Sequence, residues 1–248
     1  MSNSIGSGLD GYTFKARYLP AFIVILPAWL AFALWFPPDK LFEGVFASTA
    51  VTIVLGALLS QVGRDAGKSR QQALFKEWGG PPTSRALSYR SKVVNPVTLA
   101  RCHAVLNGLV PGLNLPANEA EEKADWKGAK AKYESAADYL RTATRDKEKF
   151  RLVYAENVNY GFRRNLWGMK PGAVAIAFVA IGATAVHASQ RFMTDGTLQG
   201  LDAASIVLCI AMLALWIMWF TKPWVKAAAD AYSSQLIAAT ELLASSKS

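Results

Sequence analysis

Four runs of the chain, residues 18–38, 44–63, 171–190 and 203–221, contain no Asp, Glu, Lys or Arg. Each is about as long as a helix must be to cross a hydrocarbon core of roughly 30 Å. No other uncharged run reaches this length. The expected fold is an all-α membrane protein: four transmembrane helices as two hairpins, with a helical cytoplasmic domain inserted between spans two and three and a C-terminal cytoplasmic helix. The expected boundaries are 1–17 for a cytoplasmic N-terminus, 18–63 for hairpin one, 64–170 for a basic helical domain, 171–221 for hairpin two and 222–248 for a cytoplasmic amphipathic helix.

The chain is 52% hydrophobic yet carries a formal charge of +9, a pairing foreign to most soluble globules. Segregation reconciles the two, because residues 64–170 alone account for the whole +9. Cys102 and Cys209 are the only cysteines, so no disulfide framework or cysteine-based metal site is expected. Residues 1–11 lack the charged start and short apolar core of a removed signal peptide, so the first span is expected in the mature protein.

Flanking cations give the orientation. Lys15 and Arg17 precede span one, and Arg64, Lys68 and Arg70 follow span two. Arg163, Arg164 and Lys170 precede span three, and Lys222 and Lys226 follow span four. The two hairpin loops hold only Lys40 and Arg191 as cations, against Asp39, Glu43, Asp195 and Asp202. The positive-inside rule places both termini and the central block in the cytoplasm, and the small outer loops suit a bacterial inner membrane.

Within the spans, Ser48, Thr52, Gly56 and Ser60 recur every four residues and share one face of span two. That face is either a small-residue packing seam or the lining of a pore. His187, near the outer end of span three, is an interfacial histidine making one hydrogen bond or a titrating group in a conduction path.

In the basic block, Gly79-Gly80-Pro81-Pro82 should end a helix continuing from span two. A short helix is expected near residues 97–109. Asn118 with Glu121 resembles a capping box opening a long helix, whose Trp126, Ala129, Tyr133, Ala136, Leu140 and Ala143 make an apolar face. If that helix continues, Arg141, Arg145 and Lys149 stack on another face, with Arg151 close by. Charges so spaced are either a solvated face or a phosphate-binding strip continued by Arg163 and Arg164. Nearby Asn159, Tyr160 and Asn165 could add base contacts and stacking to such a strip. After span four, Val225, Ala229, Tyr232, Leu236, Ala239 and Leu243 form a short heptad seam that packs on the chain's own helices or on further copies.

There is no Walker-type phosphate loop, no dinucleotide fingerprint and no zinc-like Cys/His spacing. Adjacent Cys102 and His103 point away from one another on a helix, and Glu156 pairs with no nucleophile. No catalytic residue, metal or cofactor is expected, and the chain does not read as an enzyme.

Four phrases carry a resemblance: Ser60-Gln61-Val62-Gly63-Arg64-Asp65, Trp78-Gly79-Gly80-Pro81-Pro82-Thr83, Tyr139-Leu140-Arg141-Thr142-Ala143-Thr144-Arg145-Asp146, and Asn157-Val158-Asn159-Tyr160-Gly161-Phe162-Arg163-Arg164-Asn165-Leu166-Trp167-Gly168. They resemble a family of bacterial multi-pass membrane proteins and, through it, the ion-channel effectors of the Hailong anti-phage defence system. The likeness runs from span one to span three. It implies a tetrameric channel held shut by single-stranded DNA from a companion nucleotidyltransferase, opening during infection to depolarise the cell. The phrases define no activity, and the site residues above come from the chain's own pattern.

The expected function is thus an oligomeric membrane channel gated by an anionic oligonucleotide bound at Arg141, Arg145, Lys149, Arg151, Asn159, Tyr160, Arg163, Arg164 and Asn165. The alternative is a non-conducting scaffold whose basic domain docks on anionic lipid or on a partner. Membrane lipid and further copies of the chain are the other expected partners.

Overall fold

The structure is a computed structural model describing residues 11–35 and 45–245, without the side chains of residues 45–53. It is all-helical, with no strand among the described residues. We label the helices α1 Gly11–Trp35, α2 Val45–Trp78, α3 Pro82–Ala86, α4 Pro96–Leu109, α5 Glu119–Ala124, α6 Trp126–Ala143, α7 Arg151–Asp195, α8 Gly200–Met218 and α9 Lys222–Ser245. One turn of α1, Phe14–Tyr18, is π-helical. Among the described residues, α1, α7 and α8 are long and apolar enough to cross a membrane. Residues 45–63 of the second uncharged run fall within α2, and the side chains of 45–53 lie outside the described residues.

The chain divides into two compact units, one of residues 1–70 and 161–224 and one of residues 71–160 and 225–248. Helices α2, α7 and α9 each contribute to both. The divisions fall after residues 70, 160 and 224, whereas charge alone suggests 63, 170 and 221.

In the first unit, small residues sit where helices meet. Ala16, Ala21, Ala31, Ala173, Ala177 and Ala180 are buried, as expected where lipid supplies no hydrophobic drive and close backbone approach supplies the attraction. Larger apolar side chains such as Leu58, Val62, Val179, Leu201, Val207 and Met218 are exposed, the inverse of a soluble core. Glycine makes the closest crossing possible: a Cβ at Gly168 would stand 2.5 Å from the Gly67 amide nitrogen, and one at Gly67 would stand 2.6 Å from Oδ1 of Asn165. Gly56 packs against the Phe22 ring, and Ser60 is buried with its hydroxyl donating to the Ala57 carbonyl at 2.7 Å. Both positions are buried within the chain. The side chains of Ser48 and Thr52 lie outside the described residues.

At the far end of α7, His187 Nδ1 lies 3.0 Å from Oδ1 of the buried Asp202, and Arg191 approaches the other carboxylate oxygen at 4.0 Å. The Trp35 ring stands edge-on to His187. His187 thus makes one side-chain hydrogen bond among the described residues.

The second unit has a soluble-type core of Leu87, Leu99, Leu106, Tyr133, Leu140, Phe150, Leu236 and Ile237. Its local rules are readable. Asn95 caps α4 by accepting from the Val97 amide, with Pro96 in the first turn. Asn118 and Glu121 form the reciprocal box at α5, the Asn118 side chain accepting from the Glu121 amide and Glu121 accepting from the Ala117 amide. The long helix expected from there does not form. Asp125 ends α5 and caps a new helix by accepting from the Gly128 amide at 2.9 Å. Helix α6 then stops at Ala143, Thr144 turning its hydroxyl onto the Leu140 carbonyl, and Asp146 accepts from the Glu148 and Lys149 amides in the following turn. The seam of α9 packs on the unit's own helices through Tyr232, Leu236, Ala239 and Leu243.

Candidate anion-binding site

Of the nine side chains singled out for an anionic ligand, Arg141, Arg145, Lys149, Arg151, Asn159 and Tyr160 belong to the second unit and Arg163, Arg164 and Asn165 to the first. Because α6 ends at Ala143, Arg141, Arg145 and Lys149 are not stacked on a single helix face. Arg141 pairs with Asp138 one turn earlier. Arg145, Lys149 and Arg151 are exposed around the turn that leads into α7, and no carboxylate pairs with them among the described residues. Tyr160 is buried and stacked on Tyr232 with ring planes 12° apart. Asn159 donates its amide to Glu156 at 3.2 Å.

The second half of the expected strip belongs to the packing of the first unit. Asn165 is buried and donates to the Ala16 carbonyl at 2.8 Å, while Arg164 donates to its Oδ1. Arg163 donates to the Trp224 carbonyl at 3.0 Å and lies over the Trp224 ring. Lys170 donates to the carbonyls of Ile217 and Phe220, both at 3.1 Å, neutralising the carboxyl end of α8. Arg163 and Lys170 therefore tie α7 to carbonyls of residues 217–224, and Asn165 ties it to α1.

A built concavity lies elsewhere in the second unit. Helix α2 ends at Trp78 in a Schellman turn: Gly79 and Gly80 adopt φ of 84° and 140°, the Gly80 amide donates to Phe75 and the Gly79 amide to Lys76. Pro81 continues in extended backbone and Pro82 opens α3. This hairpin of backbone, the segment after α3 and the first turns of α6 enclose a cleft of about 380 Å³.

Trp78 and Trp126 supply its flat aromatic surface, and Arg85, Arg90, Lys92 and Lys130 its charge. No carboxylate lines it among the described residues. The Arg90 guanidinium sits over the Trp126 ring, 4.2 Å from its centroid. Arg85 is paired with Asp230, yet its Nε–H is buried with no acceptor among the described residues. Lys92 and Lys130 are exposed and pair with no carboxylate among the described residues.

Beneath the cleft lies Glu122, fully buried. Its carboxylate accepts from the Ser88 hydroxyl at 2.5 Å, the Tyr89 amide at 2.7 Å and the Tyr133 hydroxyl at 3.1 Å. Arg90 Nε approaches it at 3.7 Å. A buried charge persists only when its lone pairs are taken up in this way. The effect is to lock residues 88–90, and with them the Arg90 side chain, against α5 and α6. Burial and the Glu122 charge push the Tyr133 phenol far up, and burial with the charges of Glu121 and Glu122 raises that of Tyr89. Both therefore remain hydrogen-bond donors.

His103 stands beside this network, its ring nitrogens 2.8 Å from the carbonyls of Pro116 and Leu87. Burial lowers its pKa, so it is neutral at physiological pH. Burial pushes the Cys102 thiol up to about 11, which leaves no thiolate nucleophile. Among the described residues no group of three His, Cys, Asp or Glu side chains could hold a metal ion.

The cleft residues escaped the reading of the chain, although a signal existed. Ser84, Arg85, Ser88, Arg90, Ser91 and Lys92 alternate hydroxyls and cations immediately after the Gly79-Gly80-Pro81-Pro82 break. No family model, curated protein or solved structure matches the chain.

Proposed function

We propose that the chain is the subunit of a homo-oligomeric channel in a bacterial inner membrane, gated by an anionic oligonucleotide bound to its basic helical unit. The observation that carries this reading is a pairing among the described residues: three helices apolar enough to span a bilayer, and a helical unit in which Arg145, Lys149 and Arg151 are exposed and pair with no carboxylate. The resemblance to the channel effectors of anti-phage defence supplies the ligand class and the expectation of a tetramer. The flanking cations support a cytoplasmic location for the basic unit. Arg145, Lys149 and Arg151 are its accessible phosphate contacts, at the turn that opens α7. Helix α7 itself runs on through an apolar window, so ligand bound at its start acts on an element that also serves the first unit.

The test uses full-length protein in nanodiscs of zwitterionic lipid and a labelled oligodeoxythymidine of about 20 nucleotides. Saturable binding that weakens steeply with salt is expected, as phosphate contacts release counterions. Arg145→Glu with Lys149→Glu should weaken it at least about tenfold and reduce the salt slope by about 1.4. Unchanged binding in the double variant contradicts the proposed contacts. Retention on anionic vesicles with no oligonucleotide binding favours the scaffold alternative.

A further inference from the structure

We infer that the cleft between the Trp78–Pro81 turn and the start of α6 is a mononucleotide site, taking one base against its tryptophans and the attached phosphate against Arg90, Lys92 and Lys130. The inference rests on the reading of this unit as anion-binding and narrows it to a ligand of one nucleotide.

Size is the first argument. About 380 Å³ lies at the lower end of small-ligand pockets and holds one nucleotide, not a strand lying along its backbone. Composition is the second. Phosphate recognition calls for guanidinium and ammonium donors with hydroxyls and no competing carboxylate. Among the lining residues Lys92, Lys130 and the Ser91 hydroxyl supply such donors and no Asp or Glu is present, while Arg90 turns its Nε toward Glu122 beneath and leaves the rest of its guanidinium at the cleft.

The aromatic surface is the third argument, and it separates a nucleotide from inorganic phosphate or a lipid headgroup. Neither of those has a π-face for Trp78, or for Trp126 with Arg90 lying over it, to meet. Base stacking on an aromatic side chain contributes about 5- to 150-fold in affinity.

The walls are also prepared in advance. Glu122 fixes Ser88 and the backbone at Tyr89 from below, and Asp125 fixes the turn that begins with Trp126. A ligand meeting such walls orders few side chains on arrival, which favours small-molecule affinity.

The experiment is calorimetric titration of full-length protein in zwitterionic nanodiscs. The probes are adenosine, guanosine, cytidine and thymidine 5′-monophosphates separately, the matching nucleosides, and inorganic phosphate. At least one monophosphate should bind saturably, one per chain. Its nucleoside and phosphate alone should bind at least about tenfold more weakly. Trp126→Ala, and separately Lys92→Glu with Lys130→Glu, should each cost at least about tenfold. The lysine pair is exposed, so that variant remains folded if the tryptophan variant does not.

Phosphate binding as tightly as every monophosphate overturns the inference, as does undiminished affinity in the lysine variant. Oligodeoxythymidine binding without any monophosphate binding also overturns it while leaving the gated-channel reading intact. Failure of both ligands defeats both. A 5′-phosphorylated oligonucleotide that competes with the monophosphate, where its unphosphorylated counterpart does not, identifies a strand end as a source of the same chemistry.

Discussion

Arg90 lays its guanidinium over the Trp126 ring at 4.2 Å while its Nε stands 3.7 Å from the buried carboxylate of Glu122. One side chain thus joins the outer aromatic surface of the cleft to the acid beneath it. Arg90 is half-exposed, so neither contact counts for much in stability. The stack is worth about 0.5–1 kcal/mol at such a site, and the ion pair is discounted for solvent screening. We expect Arg90→Ala to lower unfolding free energy by about 1 kcal/mol or less and to weaken anion binding far more. Arg90→Lys should retain charge but lose the planar stack. Denaturant titration beside binding isotherms separates the two effects.

Glu122 is different because it is fully buried and accepts three hydrogen bonds. Glu122→Ala strands the Ser88 hydroxyl, the Tyr89 amide and the Tyr133 hydroxyl, and should cost about 3 kcal/mol or more. Glu122→Gln keeps one acceptor oxygen and should cost less. Unfolding followed by near-ultraviolet circular dichroism measures both. A loss below about 0.5 kcal/mol for the alanine variant would show that the network is not a stabilising one.

The second unit should lose stability in mild acid through His103. Burial lowers the folded pKa below the ordinary 6.5, so the unfolded chain binds the proton more readily. The contribution is complete above about pH 6.5 and is lost as pH falls from there toward the depressed folded value. The groups facing the ring are Glu122, Tyr89 and Tyr133, with the Pro116 and Leu87 carbonyls. Melting temperatures between about pH 7 and pH 5 should fall, and His103→Gln should flatten that part of the profile.

In the first unit, Gly168→Ala should disturb the crossing with α2, since its Cβ would meet the backbone of Gly67 and Ala66. Overpacking of this kind costs about 1–3 kcal/mol. Gly172→Ala, one turn further along α7 with nothing within 4 Å, is the control and should be neutral or slightly stabilising. Thermal melts in one detergent compare them directly.

Much of the fold was legible because its signals are local. Two glycines before two prolines end a helix whatever surrounds them, and α2 stops at Trp78 accordingly. Asn95-Pro96 opens α4 by the same kind of rule, and the uncharged runs at 18–38, 171–190 and 203–221 coincide with the spanning-type helices α1, α7 and α8. What escaped depended on choice between partners. Asp125 could continue a helix or cap a new one, and capping prevailed because its carboxylate reaches the Gly128 amide. Arg163, Arg164 and Asn165 looked like ligand contacts because cations near a membrane bind phosphate and backbone carbonyls equally well. The Ala16 and Trp224 carbonyls that accept from Asn165 and Arg163 are about 150 and 60 residues away. The cleft needed three segments brought together, and no periodicity in one segment announces that.

Ion flux through liposomes reconstituted with the purified chain addresses the central claim most directly. The account predicts a conductance absent from empty liposomes that changes in a saturable, salt-sensitive way when oligodeoxythymidine is added on the side of the basic unit. That response should be lost in Arg145→Glu with Lys149→Glu. Liposomes that hold their ion gradient with and without the oligonucleotide, while the inserted protein remains folded, would contradict it.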